Sequence, residues 1–301
     1  MMASFNGQDF IFEQISSIFK QKNFIVHLYI SDDGSVDNTL DQINNYKRQN
    51  PENEIIILKG PREGYSKNFF SILKRIDINY DIYAFADQDD IWLPQKLERA
   101  LKLIQKNDLP KIYFSRTTIV DERGNILTKS GLVKKEITFR NSLIQSIGGG
   151  NTLCLNNSSF HIIRTATKNY SKKLTSHDWL SYILISAIGG SIFYDSESFV
   201  LYRQHKKNII GSNKLKFSQL NRLYNLFYKK QFSDWNKWNI DFLSTSKLEM
   251  GNENEKTLNH FIQCRDKSLS VRIKGFFKSG IYRQSTFETI AIFVAIVFRR
   301  F

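Results

Sequence analysis

The stretch Phe85-Ala86-Asp87-Gln88-Asp89-Asp90-Ile91-Trp92 decides how this chain is read. An apolar run, Ile82-Tyr83-Ala84-Phe85-Ala86, ends abruptly in three carboxylates, and Pro94 then opens a helical pattern. Carboxylates crowded at a strand end repel one another unless a positive charge neutralises them. A divalent cation carrying a phosphorylated ligand would do so, because hard oxygen donors suit Mg²⁺ or Mn²⁺. The plain alternative is an acidic turn, with Asp as a helix N-cap before Pro94. The surrounding sequence chooses between them.

Upstream, residues 26–31 are β-branched and aromatic enough for a strand, and they stop at Asp32-Asp33-Gly34-Ser35. A helix then carries Leu40, Ile43 and Tyr46 on its inner face. Residues 54–58 form a further strand, Pro61 and Gly64 mark a loop, and Ser66 is placed to cap a helix bearing Phe69, Phe70, Ile72, Leu73 and Ile76. The first residues read as the end of a strand turning at Asn6-Gly7, as if the first strand were truncated. This alternation of strand and helix predicts a mostly parallel sheet with helices on both faces. Right-handed crossovers place the carboxyl ends of its strands along one rim, where ligands of open α/β sheets bind. Asp32, Asp33, Asp87, Asp89 and Asp90 all fall on that rim, too consistently for turn formers alone.

Downstream, residues 111–120 read as a strand, 121–125 as a hairpin turn and 138–147 as a helix. The run Gly148-Gly149-Gly150-Asn151 is either a hinge or a place where backbone approaches a ligand. His177-Asp178-Trp179 opens a helix, with Asp178 in the first turn, where the helix dipole favours a carboxylate. Residues 192–194 and 199–202 read as two short strands, followed by Arg203-Gln204-His205. Beyond residue 212 the pattern is helical, with Leu220, Leu223, Tyr224 and Phe227 at helical spacing. The apolar stretch 290–298 is too short to span a bilayer, so it packs on the domain or lies in an interface.

A chain of 301 residues suits one large domain with a tail. Two cysteines, Cys154 and Cys264, give neither a disulfide scaffold nor a zinc site. The charge is uneven: residues 204–301 hold 18 Lys and Arg against 7 Asp and Glu, whereas residues 1–203 hold 25 against 22. A basic tail suits an anionic membrane or a solvated surface. It contains no recognised nucleic-acid motif, so no nucleic-acid partner is expected.

Taken in order, the following residues resemble glycosyltransferase family 2 with the GT-A fold. They are Ala3-Ser4-Phe5-Asn6-Gly7, Ser31-Asp32-Asp33-Gly34-Ser35, Asp87-Gln88-Asp89-Asp90-Ile91-Trp92-Leu93-Pro94, His177-Asp178-Trp179 and Tyr202-Arg203-Gln204-His205. Within the family the likeness leans to bacterial rhamnosyltransferase-like members that build surface polysaccharides. It covers roughly residues 1–212, leaving 213–301 as a basic, mostly helical extension. The resemblance implies a nucleotide-diphosphate sugar donor, a divalent metal and inversion at the anomeric carbon. It puts the pyrimidine contact at Asp33 with Asp32 beside it, the donor loop at Ala3 and Asn6, the donor and metal motif at Asp89 and Asp90, and the catalytic base at Asp178. Asp87 is expected to support that motif.

The chemistry adds three further candidates. Lys67 and Arg203 supply fixed positive charge for a diphosphate, and His205 supplies a neutral imidazole for metal or phosphate. The acceptor is expected to be a glycan or a lipid-linked sugar. The chain is expected in the cytoplasm, with the basic tail allowing a peripheral seat on the inner face of the cell membrane. Rival readings are a glycosidase using paired carboxylates and a non-catalytic glycosyltransferase-like binding or scaffold protein.

Overall fold

The computed structural model describes residues 1–105, 108–205, 230–246 and 248–301. The expected domain boundary at 212 and the helical pattern through Leu220–Phe227 lie outside the described residues.

Three parallel strands, β1 (Met2–Ser4), β2 (His27–Asp32) and β3 (Glu54–Lys59), form the first sheet in the order β1-β2-β3. Ser4 pairs with Asp32, and Asp32 with Lys59, so these strands end together on one rim. The helices α1 (Ile11–Phe19), α2 (Thr39–Gln49) and α3 (Tyr65–Arg75) follow the three strands in turn. An isolated parallel bridge, Met2 to Ala86, joins β1 to the second sheet.

The second sheet is mixed. Its strands are β4 (Tyr83–Ala84), β5 (Ile91–Trp92), β6 (Lys111–Val120), β7 (Ile126–Lys129), β8 (Cys154–Leu155) and β9 (Ser191–Arg203). The order is β4-β8-β6-β9-β5, with β7 hairpinned on β6. Only β6 and β9 run parallel; the other pairs are antiparallel. The parallel pattern therefore holds for the first half of the fold, and hairpin and return strands complete the second. Residues 191–203 form one strand where two were expected. The polar Asp195-Ser196-Glu197 segment is absorbed by register shifts between Ser115 and Thr118 of β6, and Asp195 is pinned by Arg99 Nε at 2.6 Å.

Residues alternate across the sheet as a period of two requires. Leu28 and Ile30 face a core shared with α1, α2 and α4 (Lys96–Ile104), which supply Ile15, Ile43 and Leu97. Ile112 and Phe114 face the opposite core, formed with α3, α6 (Asn157–Lys168) and α7 (His177–Ala187). Helices thus cover both faces. Helix α3 starts at Tyr65, so Gly64 rather than Ser66 occupies its N-cap; the Ser66 hydroxyl instead donates to Thr175 O at 2.6 Å. The helix expected over 138–147 is one turn, α5 (Phe139–Ser142), capped by the Thr138 hydroxyl.

The C-terminal residues form α8 (Lys230–Thr245), α9 (Asn252–Gln263), α10 (Leu269–Ser279) and α11 (Thr286–Val297). They pack on α5 and α7 through a third core containing Leu143, Trp179, Ile183, Phe261, Ile292 and Ile296. Trp179 Nε1 donates to Ser142 O at 2.7 Å. Gln284 Oε1 accepts from Lys134 N and Lys135 N, and Arg283 Nη1 donates to Ile144 O at 2.8 Å. The Gln284 and Arg283 bonds and the shared core hold these helices against α5 and α7.

Candidate active site

Two acidic loops meet on the rim, and their carboxylates are held differently. In the first, Asp32 is buried at the end of β2. Its Oδ1 accepts from Gly34 N and Ser35 N at 3.1 and 2.8 Å, and its Oδ2 from the hydroxyls of Ser4 and Ser35 at 2.9 and 2.6 Å. Asp33, half-buried, accepts from Arg62 N at 2.6 Å and Gly64 N at 2.9 Å, and so shapes the turn before α3. Asn6 adopts φ 50°, a left-handed conformation that Asn tolerates. Its N–H donates to Ser35 Oγ and its Oδ1 accepts from Val36 N. Ala3, paired with Ser31, is half-buried in the strand between.

The second loop follows β4. Carboxylate oxygens of Asp87, Asp89 and Asp90 lie within 4.8 Å of one another. Burial, then the charges of Asp89 and Asp178, push the Asp87 carboxyl up to about 7, against an opposing effect of Lys96. Burial and the charges of Asp89 and Asp87 also raise Asp90. Asp90 is fully buried, accepting from Asn151 Nδ2 at 2.5 Å and Arg203 N at 3.2 Å. Asp89 Oδ2 lies 2.7 Å from His205 Nε2, and its carbonyl accepts from Arg203 Nε at 3.0 Å. Gln88 ties this loop to the chain after β1: its amide accepts from Phe5 N at 2.9 Å and donates to Phe5 O at 3.0 Å.

Beneath the acids lies a buried cation. Lys96 Nζ donates to Asn151 O at 2.8 Å and sits 3.3 Å from the centre of the Trp92 ring. Burial lowers it to about 8, partly offset by the charges of Cys154, Asp90 and Asp87. Arg203 is buried too. Its guanidinium donates to Asp89 O, Glu122 O and Glu13, and lies over the Phe10 ring, so it braces the acidic loop from the end of β9.

Asp178 belongs to the first turn of α7, where Ser176 is the N-cap. It is nearly buried and accepts from Ser146 Oγ at 3.1 Å. Its charge acts on Asp87, and both act on Tyr65, whose hydroxyl burial pushes up to about 12. The neighbouring His177 ring is wedged against Phe69 and Phe85, with centroids 4.0 and 4.5 Å away, and burial lowers it to about 4 despite the Asp178 charge. A Cβ at Gly150 would fall 2.3 Å from His177 Nε2, so only glycine fits there.

The structure therefore brings Asp87, Asp89, Asp90, Arg203 and His205 together with the Asp178 charge near them, with Ala3 and Asp32 in the adjoining strand ends and Asn6 and Asp33 in the loops that follow. Lys67 is separate: it is half-buried and pairs with Glu63 one turn away. Sequence reasoning missed Asn151, Lys96, Gln88, Ser146 and Tyr65. The glycine run before Asn151 and the Trp92–Lys96 spacing were the available signals. The donor set fits a hard divalent cation: several carboxylate oxygens and an imidazole, with the Asp87 and Asp90 carboxyls raised by burial and then by crowding.

The sequence profile of glycosyl transferase family 2 matches residues 1–170. The dTDP-rhamnosyl transferase RfbG of Shigella flexneri is 31% identical over 241 residues, covering 76% of this chain and 81% of that protein. The β-1,3-glucosyltransferase WfgD of Escherichia coli, which uses UDP-Glc and a GlcNAc-diphosphoundecaprenol, is 28% identical over 151 residues, covering 50% of this chain and 56% of that protein. Among solved structures, S. aureus TarS 1-349 in complex with UDP-GlcNAc superposes with a TM-score of 0.58 at 14% identity, covering 91% of this chain and 78% of that one. That likeness bears on the fold.

Proposed function

The chain belongs to glycosyl transferase family 2, and from that premise we propose that it moves rhamnose from a nucleotide-diphosphate donor to a glycan or lipid-linked acceptor of a bacterial surface polysaccharide, inverting the anomeric carbon. It is a glycosyltransferase. The observation that supports the mechanism is the buried Asp178 at the start of α7, held by Ser146 and near enough to the acidic cluster for its charge to act on Asp87.

In this reading Asp178 takes the proton from the acceptor hydroxyl as that oxygen attacks. Its near-burial and its place among Ser146, His177 and Tyr65 suit a general base. Asp33 contacts the pyrimidine, and Asp32 holds the surrounding turn. Ala3 and Asn6 border the donor, and Asp89 binds both donor and cation. Asp89, Asp90 and His205 would hold Mg²⁺ or Mn²⁺, with Asp87 supporting them. When bound, such an ion stabilises negative charge on a departing diphosphate. Arg203 contributes by fixing the Asp89 backbone and the Asp90 carboxylate, and Lys67 contributes a half-buried positive charge near the α3 terminus. Residues 1–212 would form the transferase domain and 213–301 an extension. A cytoplasmic enzyme seated peripherally on the inner face of the membrane would meet a lipid-linked acceptor there.

A panel of nucleotide sugars including dTDP-rhamnose, with and without Mn²⁺, tests the reading through nucleotide-diphosphate release in the presence of a lipid-linked acceptor mixture. Metal-dependent release with dTDP-rhamnose is expected. Absence of metal-dependent affinity for any nucleotide diphosphate, measured by calorimetry, would sink it.

A further inference from the structure

Helix α11 has an unusual outward face. A helix on the surface of a soluble domain ordinarily turns charged and polar residues outward. Its only charged residue is Glu288, and that side chain is paired with Arg283 at 2.9 Å. The inner half packs as a core helix, with Ala291, Ile292, Ala295 and Ile296 buried. The outer half is equally apolar: Phe287 and Ile290 are 55% and 56% exposed, and Phe298, just past the last turn, is 70% exposed. Phe277 of α10, 68% exposed, extends this face. It lies 5.6 Å from Phe293, and Phe276 lies 4.9 Å from the same ring. Together these side chains form a contiguous apolar surface, which on a monomer marks a contact site.

The charges around it are mostly positive; Glu288 is paired with Arg283, and Asp266 is the one exposed acid beside the end of α11, where its carbonyl shares Arg272 with Ile296 and Val297. Lys274 and Lys278 are exposed on α10, and Arg299 and Arg300 are exposed where the chain leaves α11. Arg272 is buried and caps α11 by donating to Ile296 O and Val297 O, so it is not part of this rim. Phe301 turns back into the third core beside Phe261, which leaves Phe298 and the two arginines at the edge of the patch. At 12 residues α11 is too short to span a bilayer, and among the described residues no helix is long and apolar enough to cross one.

We propose that the outer face of α10 and α11 docks on an anionic lipid bilayer, with Phe277, Phe287, Ile290 and Phe298 entering the headgroup boundary and Lys274, Lys278, Arg299 and Arg300 meeting acidic headgroups. Apolar insertion combined with a basic rim is the pattern of interfacial helices. A second copy of the chain is a poorer occupant, because a two-fold contact would set the same four cations against themselves. An anionic surface instead contributes about a five-fold gain in affinity per nearby cation. The third core joins this face to α7, so docking would fix the orientation of the helix that carries Asp178. The proposal rests on the peripheral membrane seat of the proposed function and names the face that makes it, whichever sugar is moved.

Co-sedimentation of the full chain with phosphatidylcholine vesicles, with and without phosphatidylglycerol, tests it. Binding to the mixed vesicles should be roughly tenfold tighter or more than to neutral ones. The double variant Phe277→Ser/Ile290→Ser should lower partition onto mixed vesicles by roughly tenfold. Lys278→Gln/Arg300→Gln should remove most of the preference for acidic lipid. All four positions are exposed, so far-UV circular dichroism and vesicle-free nucleotide-diphosphate release should be unchanged; that release separates loss of docking from loss of transferase activity. Equal binding to both vesicle types, or wild-type partition of the serine variant, would overturn the proposal. So would a concentration-dependent dimer abolished by the serine variant, which would identify a second copy as the occupant.

Discussion

The two acidic loops on the rim carry similar residues in opposite states. Around Asp32 and Asp33 the carboxylates are met by donors: four reach Asp32 and two backbone N–H groups reach Asp33. Around Asp87 the carboxylates face one another, and among the described residues no hydrogen bond reaches the Asp87 side chain. The first loop is organised by its acids. The second is crowded by them and stabilised mainly by Lys96, Asn151 and Arg203 from below. An acidic strand end is therefore no site by itself; what distinguishes a cation site is carboxylate without enough donors.

The widest separation between the loops should come from chemistry. Asp178→Asn keeps the shape of the site but removes the carboxylate proposed as the proton acceptor. Sugar transfer should fall by about 10²–10⁴-fold with donor affinity little changed. Surviving transfer, followed by nucleotide-diphosphate release, would assign the base elsewhere. Asp32→Ala should act on folding instead. Leaving the donors from Ser4, Gly34 and Ser35 unanswered should cost about 3 kcal/mol, read as a lower urea midpoint at constant slope. A loss below about 1 kcal/mol would reduce Asp32 to an ordinary surface carboxylate.

Much of this contrast was legible in the sequence, and the rest was hidden for definable reasons. Alternating apolar residues such as Leu28 and Ile30 announced strands, and the acids at their ends announced the rim. What could not be read was which carboxylates lacked donors, because those donors come from distant loops: Ser4 to Asp32, Asn151 to Asp90, Ser146 to Asp178. Lys96 looks like an ordinary polar position of an amphipathic helix, yet it is buried against Trp92 four residues earlier. Residues 138–147 carry a helical pattern, but the Asn141 amide bonds to Tyr282 O of the extension, and the helix stops at Ser142. The apolar sequence of residues 290–298 suits either packing or an interface. The helix has one half packed and the other exposed, a division that periodicity cannot show when every position is apolar.

His177 gives a third, smaller comparison, since it is buried beside Asp178 without charge. Its folded value of about 4 lies below the ordinary 6.5, so the unfolded chain binds more protons between those values. Stability should therefore rise with pH from about 4 to 6.5, with the His177 contribution complete above 6.5. The full shift corresponds to about 3 kcal/mol. Thermal unfolding of His177→Phe across this range should show a shallower rise, and an unchanged slope would remove His177 as its source.

Asp87 should behave in the opposite sense, and this isolates the second loop. Its folded value, about 7, lies above the ordinary 3.8, so the folded chain holds the extra proton and stability falls as pH rises between those limits. In wild-type protein without added metal, this fall opposes the rise from His177. Asp87→Asn removes one crowded charge, so the metal-free variant should gain at least about 1.4 kcal/mol at neutral pH, the equivalent of one pKa unit. Its pH profile should then show a smaller fall opposing the His177 rise, the remainder coming from Asp90, which burial and Asp89 still raise. Adding Mn²⁺ should reverse the order, raising the wild-type melting temperature more than that of the variant, because the same crowding that destabilises the empty cluster favours a cation. The corresponding substitution in the first loop, Asp33→Asn, should show neither the neutral-pH gain nor the altered response to Mn²⁺. If Asp33→Asn and Asp87→Asn respond alike to pH and Mn²⁺, the two loops do not differ as described.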